Sequence, residues 1–460
     1  MAALTLTELH RQAKELERAH RRGDAAALAR AAPFRPDPAK PLKDAGAQMV
    51  VAREHGFPSW VRLRAYVERI DAFGEGLEYA FRTDLEYYEG RADGLLASAQ
   101  DGTPSAEAAF EGTGAALTRE GARQVVAGRH GFASWAALRR HVEALADGGE
   151  PFARAFRAME AGDRHQLAAL LARFPELARA RGTNGNALIN MASDVPTAAL
   201  LLEHGADVAH PNAHGWTPLH QAAYADAADA AAFLLEHGAP PDVSGRGAGG
   251  TPLVVALFWG HHRVTDVLAA ASLHPRNLRV AAGLGRVGLI EELVTPDGTV
   301  SEAAGALRGF YRPHGGFPAW TPSDDPQEIL DEALAWAARS DRVEAISALV
   351  ARGARVDADV YRGTPLVWAA ATGRADAVRR LIELGADVDG RATFGGPTHG
   401  DGVTALHLAA QSGSLPTIEA LLDAGADPTL RDTLHDSPAA GWADFGGHPE
   451  AAALLRSRGG

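Results

Sequence analysis

The chain reads as an all-α protein, a helical solenoid of short repeated units carrying a duplicated helical extension at its N-terminal end. Two internal repetitions predict this. Through the last two-thirds, a Gly-(x)-Thr-Pro-Leu type of segment recurs, each copy followed by a Leu- and Ala-rich stretch that ends in Gly. In the first 150 residues a different segment, "HGFPSW", returns as "HGFASW". With 46% hydrophobic residues in 460, the chain can bury the core such an array needs.

The N-terminal repeat comes first in the chain. "VVAREHGFPSWVRLRAYVE" (50–68) recurs as "VVAGRHGFASWAALRRHVE" (125–143), an offset of 75. In each copy a helix is predicted to stop at Gly56 or Gly131, Phe57 or Phe132 to plug the corner, and Ser59 or Ser134 to cap the next helix. Trp60 and Leu63, like Trp135 and Leu138, are expected to face inward at helical spacing. A second echo links "AHRRGDAAALARA" (19–31), "YYEGRADGLLASA" (87–99) and "AMEAGDRHQLAAL" (158–170). The region 1–150 therefore reads as two duplicated helical units leading into the array.

In the array, "GWTPLHQAA" begins at Gly215, "GGTPLVVAL" at Gly249, "GTPLVWAAATGR" at Gly363, "GVTALHLAAQSG" at Gly402 and "HDSPAAGWADFGG" at His435; "GNALINMAS" at Gly185 is looser. Thr217 and Thr251 are 34 positions apart, Thr404 and Ser437 33. Thr before Pro supplies an N-cap and Pro suits the first helical turn. The "HGA" and "LGA" glycines suit a left-handed helix end. A helix pair this short cannot bury its apolar face alone, so the units must stack. These residues resemble the ankyrin-repeat family over about 152–458, with "AMEAGDRHQLAALLARFPEL" (158–177), 277–294 and 333–358 as weaker copies. The resemblance implies a recognition scaffold without catalytic residues or cofactor. It also implies that His220 and His407 bond backbone groups between repeats. The expected organisation is 1–150 duplicated helices, 151–294 a first array, 295–326 an insertion and 327–460 a second array.

Composition narrows the function. A net charge of −13 disfavours nucleic acid as a partner. Residues 1–70 carry 13 basic against 8 acidic side chains, which reads as a solvated helical face. The longest apolar run, Leu253–Trp259, falls far short of the ~20 residues of a membrane span. The first residues are charged and do not look like a secretory signal. There is no cysteine, which excludes disulfides and Cys-ligated zinc and suits a reducing cytoplasm; the Ala, Gly and Arg richness suits a bacterial gene. "GLGRVG" (283–288) matches a dinucleotide fingerprint literally but lies between two helices, where that chemistry has no strand to follow. The histidines give no metal site by spacing.

One segment breaks the regularity: "FYRPHGGFPAWTPSDDP" (310–326). The insertion 295–326 that contains it replaces a finger loop between helix pairs, and "DGRATFGGPTHGDG" (389–402) enlarges another, stretching Thr364 to Thr404 to 40 positions. Ser323 or Asp324 is expected to cap the next helix, with Asp325 favouring its positive end. Long irregular loops are commonly functional. The segment therefore supplies candidate ligand residues: Tyr311, Arg312, His314, Trp320 and Asp325, with Tyr361 and Arg362 from the finger between, and Phe394, His399 and Asp401 from the second loop. Arg would hold an anionic group, and a His with an Asp could move a proton or ligate a metal. His210, His214 and Trp216 are candidate partner contacts on the first fingers. The leading expectation is a scaffold binding a protein partner through fingers and groove. The alternative is an enzyme or small-anion binder between the two enlarged loops.

Overall fold

The computed structural model describes residues 4–35, 40–146, 148–272, 275–311, 320–393 and 402–459. Arg312, His314, Phe394, His399 and Asp401 lie outside them. The chain forms two compact units, Met1–Ala213 and His214–Gly460.

The first unit opens with α1 (Leu6–Arg21), α2 (Ala25–Ala31), α3 (Asp44–Glu54) and α4 (Trp60–Phe73), then repeats the order as α5 (Leu85–Gln100), α6 (Pro104–Thr113), α7 (Arg119–Arg129) and α8 (Trp135–Leu145). α1 packs on α3 as α5 packs on α7. Both corners turn on glycines with positive φ, Gly56 (81°) and Gly131 (74°). Ser59 and Ser134 accept from the backbone N–H three residues on, each at 3.3 Å. Leu63 and Leu138 are fully buried, but Trp60 and Trp135 are only half-buried, contrary to expectation. Each Trp is the first residue of its helix, at the margin of the core. Trp60 meets His10 edge-on at 4.9 Å, and Arg123 lies 5.7 Å over Trp135. The echo at 87–99 is also corrected. Residues 19–31 and 158–170 span a helix–turn–helix, whereas 87–99 lies inside the continuous α5.

α9 (Pro151–Glu160), α10 (Arg164–Arg173) and α11 (Val195–Glu203) complete this unit. "GNALINMAS" forms a single 3-10 turn, Leu188–Met191, in place of an α-helix. Asn190 explains it by accepting from Ala187 N at 3.0 Å and donating to His210 O at 2.9 Å, which ties the turn to the following loop. A two-residue parallel pairing, β1 (Glu78–Tyr79) with β2 (Arg181–Gly182), was not anticipated. It joins the duplicated helices to the first repeats. Tyr79 stacks on Phe152 at 5.5 Å, and a side chain at Gly182 would run into Phe81 and Phe152. Arg69 and His141 both face the buried Glu150.

The second unit is a stack of helix pairs. Seven are present among the described residues: α12 (Pro218–Tyr224) and α13 (Ala228–Glu236), α14 (Pro252–Trp259) and α15 (His262–Ala271), α16 (Leu278–Gly283) and α17 (Val287–Leu293), α18 (Pro326–Arg339) and α19 (Val343–Val350), α20 (Pro365–Ala371) and α21 (Ala375–Glu383), α22 (Ala405–Ser412) and α23 (Leu415–Asp423), α24 (Ala439–Phe445) and α25 (Pro449–Ser457). The first helix of each pair is the inner one. Thr217 and Thr404 cap their helices reciprocally with His220 and His407, whose Nε2 atoms reach Gly250 O (2.9 Å) and Ser437 O (3.1 Å) in the next repeat. Fingers close with single bridges, Val294–Val300, Ala392–Val403 and Arg431–Pro438. "GLGRVG" is the α16–α17 turn, with Gly285 at φ 69°.

The stack is interrupted once. α16 packs closely on α18, and α18 on α20, but α14 and α16 touch only lightly. The segment 307–310 fills the break. Its backbone lies so close to Gly247, Gly249 and Gly250 that a Cβ at any of them would strike Gly309 O, Leu307 O or the Phe310 ring. α18 itself is 14 residues long against six to eight for the other inner helices. Its cap is Asp325, accepting from Gln327 N at 3.1 Å, rather than Ser323 or Asp324.

Candidate functional site

The insertion enters the protein interior at Phe310 and Tyr311, which are 0% and 2% exposed. They sink because α18 offers an aromatic and charged face there: Glu332, Trp336 and Arg339, at spacings of four and three, lie on one side of the helix. The Tyr311 hydroxyl donates to Glu332 and accepts from Trp336 Nε1 at 3.2 Å. Tyr361 donates to Tyr311 O at 2.7 Å, and Trp368 Nε1 donates to Tyr361 O at 3.1 Å. Trp320 stands edge-on to Tyr311 (4.3 Å) and lies 5.7 Å from Tyr361. Phe258 of α14 meets Phe310, Trp336 and Trp368 from the other side.

Three buried guanidinium groups serve this cluster. Arg308 pairs with Glu332 and with Glu328 (3.0 Å). Arg279 pairs with Glu332 at 3.3 Å, donates to Leu307 O at 3.0 Å and lies 4.8 Å over the Trp336 ring. Arg339 donates to Phe258 O at 3.0 Å and lies 3.9 Å over Trp368. Burial pulls Arg279 down to about 10 and Arg339 to about 9; Glu332 resists the fall in both. Glu332 already accepts from Arg279, Arg308 and Tyr311. A carboxylate engaged on every side holds a loop in place and is not free to take a proton from a substrate.

Of the ligand candidates, Tyr311, Trp320 and Tyr361 come together in this cluster. Arg362 follows Tyr361, is 6% exposed and has a positive φ of 68°. Asp325 stands apart as the α18 cap. Of the partner candidates, His210 is buried with Nε2 on Gly185 O at 3.0 Å, Trp216 is buried on His220 at 5.0 Å, and His214 is exposed. Sequence reasoning missed Arg279, Arg308, Glu332 and Arg339. The i, i+4, i+7 placement of Glu332, Trp336 and Arg339 was the readable signal for the two that lie on α18.

Stacked helix pairs with reciprocal Thr–His caps and short bridged fingers define a helical repeat protein. The family model "Ankyrin repeats (3 copies)" matches residues 156–245, 188–277 and 321–392, and "Ankyrin repeat" matches 401–433. The chain belongs to the ankyrin-repeat family, whose members generally serve as protein–protein interaction scaffolds. No curated protein matches it. Helix pairs of the same kind, α16–α17 and α24–α25, lie outside the matched segments. Among the described residues, no helix is long and apolar enough to cross a membrane, and no cluster of metal-ligating side chains occurs.

Proposed function

We propose that this chain binds a protein partner along the ends of its inner helices and the neighbouring fingers, in a bacterial cytoplasm. The supporting observation is aromatic exposure at those ends. Tyr224, the last residue of α12, is 40% exposed and meets Trp259, the last of α14, edge-on at 5.6 Å. Phe445, the last residue of α24, is 87% exposed. Nothing in the packing of α12 or α24 requires a ring to face water, and aromatic anchors carry most of the energy of protein interfaces. Exposed His214 on a finger extends the surface. Affinity capture with the full chain tests this. A discrete partner should be retained by wild type and by His237→Ala, and lost at least ~10-fold by Tyr224→Ala or Phe445→Asp. Equal retention by all four removes the reading.

A second reading, a small anionic ligand held beside the insertion, draws on the convergence of Tyr311, Trp320 and Tyr361 with Arg362 next to them. Arg312, His314, Phe394, His399 and Asp401 would complete that site. Arg312→Ala and His399→Ala should then abolish binding of a small anion with melting unchanged. Loss of fold in both would make them structural.

A further inference from the structure

A separate cavity of about 500 Å³ lies between the α14–α15 turn and the α20–α21 turn. Phe258, Trp259 and Trp368 wall it; His262, Arg263 and Arg374 line it; and Asp226 is the one carboxylate on its lining among the described residues. It contains none of the ligand candidates, and shares only Trp259 with the aromatic pair at the inner-helix ends.

Its charge is out of balance. Arg374 donates through Nε to Arg339 O (3.3 Å) and through Nη2 to Gly260 O, so it is held by carbonyls. Arg339, 1% exposed, lies directly behind the wall, over the Trp368 and Phe258 rings at 3.9 and 4.6 Å. Neither guanidinium has a carboxylate within ion-pair distance among the described residues. Asp226 accepts from Val264 N at 3.3 Å at the start of α15, and it and Asp341 act on Arg374 only from beyond ion-pair distance. His262 Nε2 is buried with no hydrogen-bond partner. Buried cations without counter-charge are costly, and an anion in the adjoining space would offset that cost. The walls are flat rings, which favour a flat body.

We infer that this cavity binds a flat organic carboxylate, its charge met by Arg374 and His262 and its body by Trp259. The same chemistry is offered by a free aryl acid and by the carboxyl terminus of a peptide ending in an aromatic residue.

Binding is pH-linked. Burial holds both His261 and His262 below the ordinary imidazole range. Arg374 and Arg342 push His262 the same way, while Asp341 and Asp266 oppose; Asp226 opposes at His261. A bound carboxylate stabilises the imidazolium, so a proton is taken up on binding and affinity rises as pH falls.

Calorimetric titration of the full chain tests the inference with four probes: naphthoate, naphthamide, a short peptide ending in Phe as free acid, and the same peptide as amide. At least one acid should bind ~10-fold or more tightly than its amide, and ~3-fold more tightly at about pH 5.5 than at about pH 7.5. Naphthoate alone binding assigns a free acid, and the peptide acid alone assigns a chain terminus. His262→Ala should weaken binding ~5-fold and flatten the pH dependence. Arg374→Gln should abolish binding, and because Arg374 also ties two turns, its fold is checked by circular dichroism. Acids and amides binding alike, no binding by any probe to ~10 mM, or a folded His262→Ala chain that binds as wild type would each overturn the assignment.

Discussion

The Arg339 guanidinium lies 3.9 Å over the Trp368 ring and donates at 3.0 Å to Phe258 O, joining α14, α18 and α20 at one point. α14 and α18, which are not sequential inner helices, meet there because the chain leaves the regular stack between α14 and α16. The long α18 then reaches across the break. The stacked cation and the carbonyl bond hold the join, and the burial of an unpaired charge works against it.

This opposition gives a first prediction. Arg339→Met keeps the volume and removes the buried charge, so stability should stay within about 1 kcal/mol of wild type. Arg339→Ala leaves a cavity under Trp368 and Phe258 and should cost about 3–5 kcal/mol. Urea denaturation separates the two. A Met variant as weak as the Ala variant would show that the charge itself stabilises the join.

Glu332 is the counter-charge for Arg279 and Arg308, both buried. Glu332→Gln preserves shape, strands Arg279 and leaves Arg308 with Glu328 alone, which should cost about 3–5 kcal/mol. Glu328→Gln removes a more exposed contact of Arg308 and should cost below about 1 kcal/mol. Comparable losses in the two variants would mean that Arg308 is not anchored through Glu332.

At the two N-terminal corners the leucine should matter more than the tryptophan. Leu63 and Leu138 are fully buried while Trp60 and Trp135 are half-buried. Leu63→Ala and Leu138→Ala should each cost about 2–5 kcal/mol. Trp60→Ala and Trp135→Ala should cost roughly half as much, since only part of each ring leaves water. Thermal melting of the four variants checks the ranking. Larger losses from the tryptophans would place those rings in the core.

Acid should weaken the protein well above the carboxylate range. Burial holds His130 and His220 down to about 4, against an ordinary 6.5. Between those values the unfolded chain binds protons that the folded chain refuses, so stability falls as pH drops from 6.5 toward 4, by up to about 3 kcal/mol for each imidazole. Glu150 acts at lower pH. Burial would raise its carboxyl, but Arg69 and His141 bring it to about 2, and its contribution is lost as pH falls from 4.5 through that value. Denaturation midpoints measured from about pH 7 to about pH 4.5 should therefore fall continuously. A flat profile over that range would show the histidines to be solvated.

By itself the sequence determined the repeat. Thr–Pro starts, Gly ends and the two GFxSW corners are local chemistry, carried by a few adjacent residues. The helix pairs and the two corners were legible for that reason. The composition of the insertion, with the neighbouring finger, also marked Tyr311, Trp320 and Tyr361 as residues of one site. Only the tertiary structure decided which repeats touch across the break, and so which charges face one another. Arg279 and Glu332 are 53 positions apart, Arg374 and Gly260 114. Pairings at that range depend on how the stack closes over segment 307–310, and no local propensity records it. The same closure set Arg339 and Arg374 beside a cavity whose one lining carboxylate, Asp226, pairs with neither, and buried Tyr311 where sequence composition had suggested an open site. Burial and charge balance are properties of the packed whole, because both depend on what the rest of the chain places around a residue.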